Sequence, residues 1–376
     1  AMEFKNSCEF YLNNKDGTFT DITAQVGFKG YQAYVKGVTA GDVNNDGWQD
    51  LYISTLTSTN MLLLNQTAKP GAMPAFMDIT ERGAVKEPFG GFATWMFDFN
   101  NDGWLDIFAG SYGSSTGALA AEAATLNSQG KYIGGNPHLY INDGKAGKDG
   151  PHFTDITKQV GLNDALFVMG SNYGDLDNDG WLDFYLGTGA PSLSAVVPNK
   201  MFRNNEGKGL QDVTTSGGFG ILQKGHAVGF GDFDNDGDQD IFSVIGGALD
   251  GDVFSNAFFL NPIGNEQNWG TLKLIGTNSN RSAIGARVKI TATGKDGKER
   301  QVHGLVSTGS SFGGNSLQLE MGLGDATAIK QVEVRWPNAK GTVSIYPNIT
   351  INKYVELTEG NPQPVYPDRK KLQFPG

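Results

Sequence analysis

Gly41-Asp42-Val43-Asn44-Asn45-Asp46-Gly47-Trp48-Gln49-Asp50 decides the fold, because the chain writes this stretch four times. The other copies are Phe97-Asp98 through Asp106, Gly174-Asp175 through Asp183, and Gly231-Asp232 through Asp240. Their first aspartates stand at 42, 98, 175 and 232, in steps of 56, 77 and 57. A second motif drifts with the first. It reads Phe19-Thr20-Asp21-Ile22-Thr23 and returns around Asp78, Asp155 and Asp212, in steps of 57, 77 and 57. Two motifs that keep their distance through four copies define a repeat. The longer step carries an insertion of roughly 20 residues near Ser111–Gly135, rich in Gly, Ser and Ala, which reads as a long loop of the kind that often carries function.

Short β-rich runs surround each loop. After it come Asp50-Leu51-Tyr52-Ile53, Asp106-Ile107-Phe108-Ala109, Asp183-Phe184-Tyr185-Leu186 and Asp240-Ile241-Phe242-Ser243. Further on come Met61–Asn65, His138–Asn142, Met201–Asn205 and the partial copy Ala257–Asn261. A period near 57 residues with four strand-like runs per unit predicts a β-propeller, in which each blade is a four-stranded sheet. The chain opens on the last two strands of a unit, so an exchange of strands between its ends is expected. The expected domains are a propeller over residues 1–265, a second β unit over 266–360 and an extended tail over 361–376. In the second unit Trp269–Gly276, Ala286–Ala292, Gln331–Pro337 and Tyr354–Leu357 alternate like strands, and Lys295-Asp296-Gly297-Lys298 reads as a hairpin turn. These features predict an all-β chain, a propeller followed by a small sandwich-like domain.

The loops follow Asp-x-Asn/Asp-x-Asp-Gly-x-x-Asp. Calcium takes six to eight hard oxygen ligands in a flexible cage, with side chains at positions one, three, five and nine and a carbonyl at seven. The expected ligands are Asp42, Asn44, Asp46, Trp48 and Asp50; Asp98, Asn100, Asp102, Trp104 and Asp106; Asp175, Asp177, Asp179, Trp181 and Asp183; and Asp232, Asp234, Asp236, Asp238 and Asp240. An EF-hand needs a glutamate at position twelve, where this chain has Ile53, Ala109, Leu186 and Ser243. The sites are therefore strand–loop–strand sites. The four loops gather fifteen aspartates, a repulsion that calls for cations. About four calcium ions would bring the formal charge of −11 to about −3. The side chains of Trp48, Trp104 and Trp181 read as packing between blades.

Forty acidic against 29 basic residues and no basic run argue against nucleic acid. One cysteine, Cys8, excludes an internal disulfide and a cysteine-based zinc site. No apolar run has the length to span a bilayer. The opening Ala1-Met2-Glu3-Phe4-Lys5 shows no signal peptide and reads as a processed or cut end, so the chain is expected to be a fragment or a mature form. In the strand before each loop, Lys36, Phe92, Met169 and His226 form one column and Val38, Thr94, Ser171 and Val228 another, either of which can line a propeller channel. Lys36 and His226 are the weak catalytic candidates; no nucleophile–base pattern stands beside them.

The loops resemble the FG-GAP/VCBS repeats of integrin-α-like propellers. Asn278–Val288, Met321-Gly322-Leu323-Gly324-Asp325-Ala326 and Val332-Glu333-Val334-Arg335-Trp336-Pro337 resemble the ASPIC/UnbV domain. Repeats followed by that domain look like the cartilage acidic protein family and its bacterial relatives. The resemblance implies secretion, calcium-dependent stability and protein binding, and supplies no agreed enzymatic activity. It implies about seven blades where this chain shows four loops. The leading expectation is a secreted, periplasmic or cell-surface calcium-binding protein whose propeller binds an extracellular protein or glycan. The alternative is an enzyme (a lyase, isomerase or cyclase acting on sugars or natural products) with its site in the propeller channel or at the domain junction. A third reading is a structural spacer in a larger surface protein.

Overall fold

The computed structural model describes residues 7–112, 136–145, 149–189, 196–247, 250–251 and 253–374. The insertion expected near 111–135 lies almost wholly outside the described residues. Among the described residues the chain is all-β apart from a four-residue helix, α1 (Thr80–Gly83), and one 3₁₀ turn. It starts with a two-stranded sheet, β1 (Tyr11–Asn13) and β2 (Phe19–Asp21). Three four-stranded antiparallel meanders follow. They are β3 (Val35–Gly41), β4 (Asp50–Thr55), β5 (Met61–Asn65) and β6 (Phe76–Asp78); then β7 (Gly91–Phe97), β8 (Asp106–Ser111), β9 (His138–Asn142) and β10 (Phe153–Asp155); then β11 (Ser171–Gly174), β12 (Asp183–Leu186), β13 (Lys200–Asn204) and β14 (Leu210–Asp212). A fourth sheet has β15 (Gly225–Gly231), β16 (Asp240–Ile245) and β17 (Ala257–Phe259). Each repeat makes one sheet, and each aspartate loop joins the first strand of its sheet to the second.

The sheets stack face to face because alternate side chains of each strand meet the next sheet. Tyr52, Leu62 and Leu64 of the first meander share a core with Met96, Ile107 and Tyr140 of the second. Trp95, Phe97 and Phe108 of the second share one with Tyr173, Phe184 and Phe202 of the third. Tyr185 and Met201 meet Val228, Phe230 and Ile241 of the fourth. Trp95 is fully buried and stacks on Phe108 with ring centres 3.9 Å apart. The result is a propeller-like fan in which each sheet packs on its sequence neighbours. Among the described residues the expected exchange of strands between the chain ends does not form: there β1 and β2 pair with each other, and the neighbouring Phe10, Phe28 and Tyr31 pack against Ile53 and Leu63.

The C-terminal part is a sandwich. One sheet has β18 (Asn268–Ile275) between β22 (Gln318–Gly324) and β25 (Tyr354–Thr358). The other runs in the order β20 (Glu299–Leu305), β19 (Arg287–Gly294), β23 (Ala326–Arg335), β24 (Val343–Pro347). Leu272, Leu274 and Val355 of the first face Ile290, Val332 and Val334 of the second. β18 and β25 run parallel, and the remaining pairs in the two sheets are antiparallel. Glu359 locks the Asn278-Ser279 turn: one of its oxygens accepts the N–H groups of Thr277, Asn278 and Ser279 at 2.9, 2.8 and 2.7 Å.

One strand leaves the sandwich. β21 (Gly313–Asn315) runs parallel to β15 and completes the fourth sheet at its inner edge. The segment that leads to it lies along the inner strands of the fan. Ser311 N–H donates to Thr94 O at 3.0 Å, Phe312 packs on Phe92 at 4.7 Å, and Asn172 Nδ2 donates to Asn315 Oδ1 at 2.6 Å. A Cβ on Gly37 would collide with Ser311 Oγ, so this inner-strand glycine permits the approach. The expected open channel is thus filled, on the side lined by Gly37, Thr94, Asn172 and Val228, by the protein's own second domain.

Candidate metal centres

The four loops share one geometry. Position four is Asn45, Asn101, Asn178 or Asn235, with φ between 54° and 60°, and position six is Gly47, Gly103, Gly180 or Gly237, with φ from 85° to 101°. Two left-handed residues wind each loop into a tight curl, and asparagine and glycine are the residues that enter that region at least cost. The position-four asparagine runs through all four copies of the sequence, although the ligand pattern assigned it no task.

The first aspartate caps the curl from inside. Asp42 accepts from the N–H of Asp46 at 3.0 Å and of Gly47 at 2.8 Å. Asp98, Asp175 and Asp232 repeat both bonds. The position-five aspartates accept from the N–H of position seven, at 2.8 Å for Asp46 and Asp102 and 2.9 Å for Asp179. The ninth residue ties the loop to the sheet. Asp106 accepts from Phe99 N–H at 2.8 Å and from Asn142 N–H at 2.9 Å, and Asp50, Asp183 and Asp240 do the same in their sheets.

The winding gathers carboxylates around one point. In the third loop, oxygens of Asp175, Asp177 and Asp183 lie within 4.8 Å of one another, and in the fourth so do those of Asp232, Asp234 and Asp236. Burial pushes Asp175, Asp183, Asp232 and Asp234 up and like charges add to it, while at Asp236 the Lys371 ammonium and local N–H groups outweigh burial and hold the carboxyl down. Asp50 rises to about 8, Asp98 to about 7 and Asp238 to about 8. Asp106 is also raised, for the same two reasons. Asn100 Oδ1, Asp177 Oδ1 and Asp238 Oδ1 are buried without a hydrogen-bond partner among the described residues. These atoms belong to positions three, three and seven. A set of oxygen donors with orphaned members fits a hard divalent cation.

In loops two and three position seven makes contacts within its own sheet. The Trp104 and Trp181 rings lie against Gly144 and Gly207, in the turn between the third and fourth strands of their own sheets. Two loops carry a cationic side chain: Arg203 pairs with Asp177 and, at 2.7 Å, with Asp179, and Lys371 of the tail pairs with Asp236 at 2.7 Å. Lys36 donates to Tyr34 Oη at 3.0 Å and lies over the Tyr34 and Phe92 rings, while His226 belongs to β15 of the last sheet. The two candidate catalytic residues stand on the first and fourth sheets of the fan.

Sequence reading missed the asparagine that ends each third strand. Asn142 Nδ2 donates to Leu105 O in its own sheet and to Val43 O in the preceding loop, at 3.0 and 2.8 Å. Asn204 joins Leu182 O and Phe99 O, and Asn261 joins Gln239 O and Leu176 O. The first three loops are thus each stitched to the next sheet. The column of asparagines was visible in the repeat; its partner across the sheet gap was not.

A cavity of about 100 Å³ is lined by residues of loops two and three and of the second domain. Arg287, His303, Gln239 and Glu320 are among its lining residues. Burial raises Glu320 and lowers His303, so each is drawn towards its neutral form.

The model of the family described as FG-GAP-like repeat matches residues 3–53 and 98–186, and that described as ASPIC and UnbV matches residues 276–364. The chain thus carries FG-GAP-like repeats followed by an ASPIC and UnbV domain. It is also similar to Cartilage acidic protein 1 of Homo sapiens, at 27% identity over 209 residues. That match covers 54% of this chain and 27% of the human protein, so the chain spans about a quarter of its length. No helix among the described residues is long and apolar enough to cross a membrane.

Proposed function

We propose that the chain is an extracellular calcium-stabilised binding module. The propeller-like part, residues 1–265, takes one ion in each aspartate loop through the ligands named above, and calcium is the ion best suited to them. The observation that carries this reading is the set of buried, unpartnered oxygens Asn100 Oδ1, Asp177 Oδ1 and Asp238 Oδ1, each belonging to a loop rich in carboxylates. A buried polar atom left unpaired costs about 1–3 kcal/mol, and a cation at the centre of the curl removes that cost and the repulsion together. Magnesium keeps its waters and a stricter octahedron, which suits a nine-residue curl less well. The similarity to a human protein named for cartilage supports a secreted, periplasmic or cell-surface setting, where millimolar calcium fills even weak sites. The partner class is an extracellular protein or glycan.

Calcium removal tests the reading. Each site filled at a hundred times its Kd adds about 2.7 kcal/mol, so a chelator should lower the melting temperature by about 10 °C or more. Metal analysis of the dialysed protein should count about four calcium ions per chain. An unchanged melting curve in chelator sinks the calcium reading.

A further inference from the structure

The second domain stands on the aspartate loops. At loop one the Arg287 guanidinium donates to Asp42 O, and its other nitrogen donates to Gly103 O of loop two at 2.8 Å. Loop two also gives Asn101, whose Nδ2 donates to Gln301 O at 3.1 Å and whose Oδ1 accepts from His303 N–H at 2.8 Å. At loop three Gly322 N–H donates to Asp175 Oδ2 at 3.0 Å, and Gly324 N–H donates to Asn178 O at 2.8 Å. Beside loop four Gln239 Nε2 donates to Glu320 Oε2 at 2.7 Å, and the Trp269 ring lies against Gly237.

The loop-side groups in these contacts are a first-position carbonyl and carboxylate, the side chain or carbonyl of the left-handed position four, position six, and at loop four the side chain of position eight, Gln239. All of them sit on the loop, so its winding helps to set where they stand. A loop that loses its curl loses the seat. Arg287 lies on carbonyl oxygens, which leaves the carboxylates of Asp42 and Asp98 to an ion while its charge offsets part of theirs.

We propose that cation binding in the loops and docking of the second domain are one coupled equilibrium, transmitted by Arg287 at loops one and two and by Gly322 at loop three. This rests on the calcium reading of the loops. An ion that binds only the wound loop favours every contact that needs the wound loop, and reciprocity requires the docked domain to tighten the ion by the same factor. The second domain is therefore part of the metal sites without donating a ligand, and the loop face of the fan is closed to outside partners while the ions are bound.

The test uses the full chain and calcium itself. Small-angle scattering of the wild type should show a larger radius of gyration in chelator than in calcium. Gly322→Ala is the wedge: its Cβ would collide with Asp175 Oδ2 and with the Asn178 backbone, and its three nearest atoms all belong to loop three. Calorimetric titration of Gly322→Ala should show one site weakened about ten-fold, with an expanded particle even in calcium. Arg287→Met should weaken two sites, and Arg287→Lys should restore part of that loss. If a variant fails to fold, the wild-type scattering comparison still decides. Wild type that binds no calcium overturns the calcium reading and the coupling with it. Wild type that binds about four ions, keeps one radius in chelator, and shares its affinities with the variants overturns the coupling alone.

Discussion

Asn142→Ala should cost about 3 kcal/mol, and Asn65→Ala about half of that. The two residues hold the same place in successive repeats, so the comparison isolates what differs around them. Asn142 is 3% exposed. Its amide donates to two carbonyls, Leu105 O in its own sheet and Val43 O in the loop before it, and its oxygen accepts from Gly144 N–H at 3.0 Å. Truncation leaves both carbonyls in a tight gap without a donor, at about 1 kcal/mol each, and removes the hold on the Gly144 turn for about 1 more. Asn65 is more accessible, and its amide donates to Gln49 O within its own sheet, with Thr67 as its other partner. Water can replace those bonds in the variant, so about 0.5 kcal/mol apiece is expected. Urea unfolding in saturating calcium, followed by tryptophan fluorescence, measures both. The Asn142 variant should also unfold less cooperatively, because repeat stacks depend on their neighbour contacts. Equal costs for the two variants, with no change in cooperativity, would refute the claim that this asparagine stitches one sheet to the next.

Other outcomes follow from the same geometry. Asp98→Ala combined with Asp102→Ala should lower the bound calcium by one ion and leave the other loops filled; an unchanged metal count shows the loop assignment to be wrong. Lys371→Ala should tighten the fourth loop about three-fold, because the tail cation on Asp236 competes with the ion and a half-exposed pair is worth under about 1 kcal/mol. Equal calorimetric affinities for variant and wild type exclude that competition. Burial pushes the Glu359 carboxyl up, but the N–H groups of Ser279, Thr277 and Asn278 and the Asn338 amide outweigh it and set it at about 2. Its folded value lies below its unfolded one, so its contribution is complete above about pH 4.5 and disappears as the pH falls towards 2. Glu359→Gln should therefore be less stable than wild type at pH 7 and match it near pH 2, and a gap that is the same at every pH argues against the carboxylate as its source.

The repeat, the all-β class, the oxygen-donor loops and the presence of a second β unit were all legible in the linear order of residues. Those are local facts. Each curl spans nine residues, and its donor chemistry is written in those nine. Strand alternation is local for the same reason. What the repeats do to one another is a tertiary matter. Asn142 reaches Val43 across 99 positions, Arg287 reaches Asp42 across 245, and Ser311 reaches Thr94 across 217. Such pairs depend on the angle at which the sheets fan and on where the second domain lands, and no period in the chain encodes either. The filled axis shows the consequence. From the repeat alone the inner columns read as a channel wall. Only the path of Ser307–Asn315 out of the sandwich turns that wall into a seat, because Gly37 and Gly313 let two backbones approach where side chains would have held them apart.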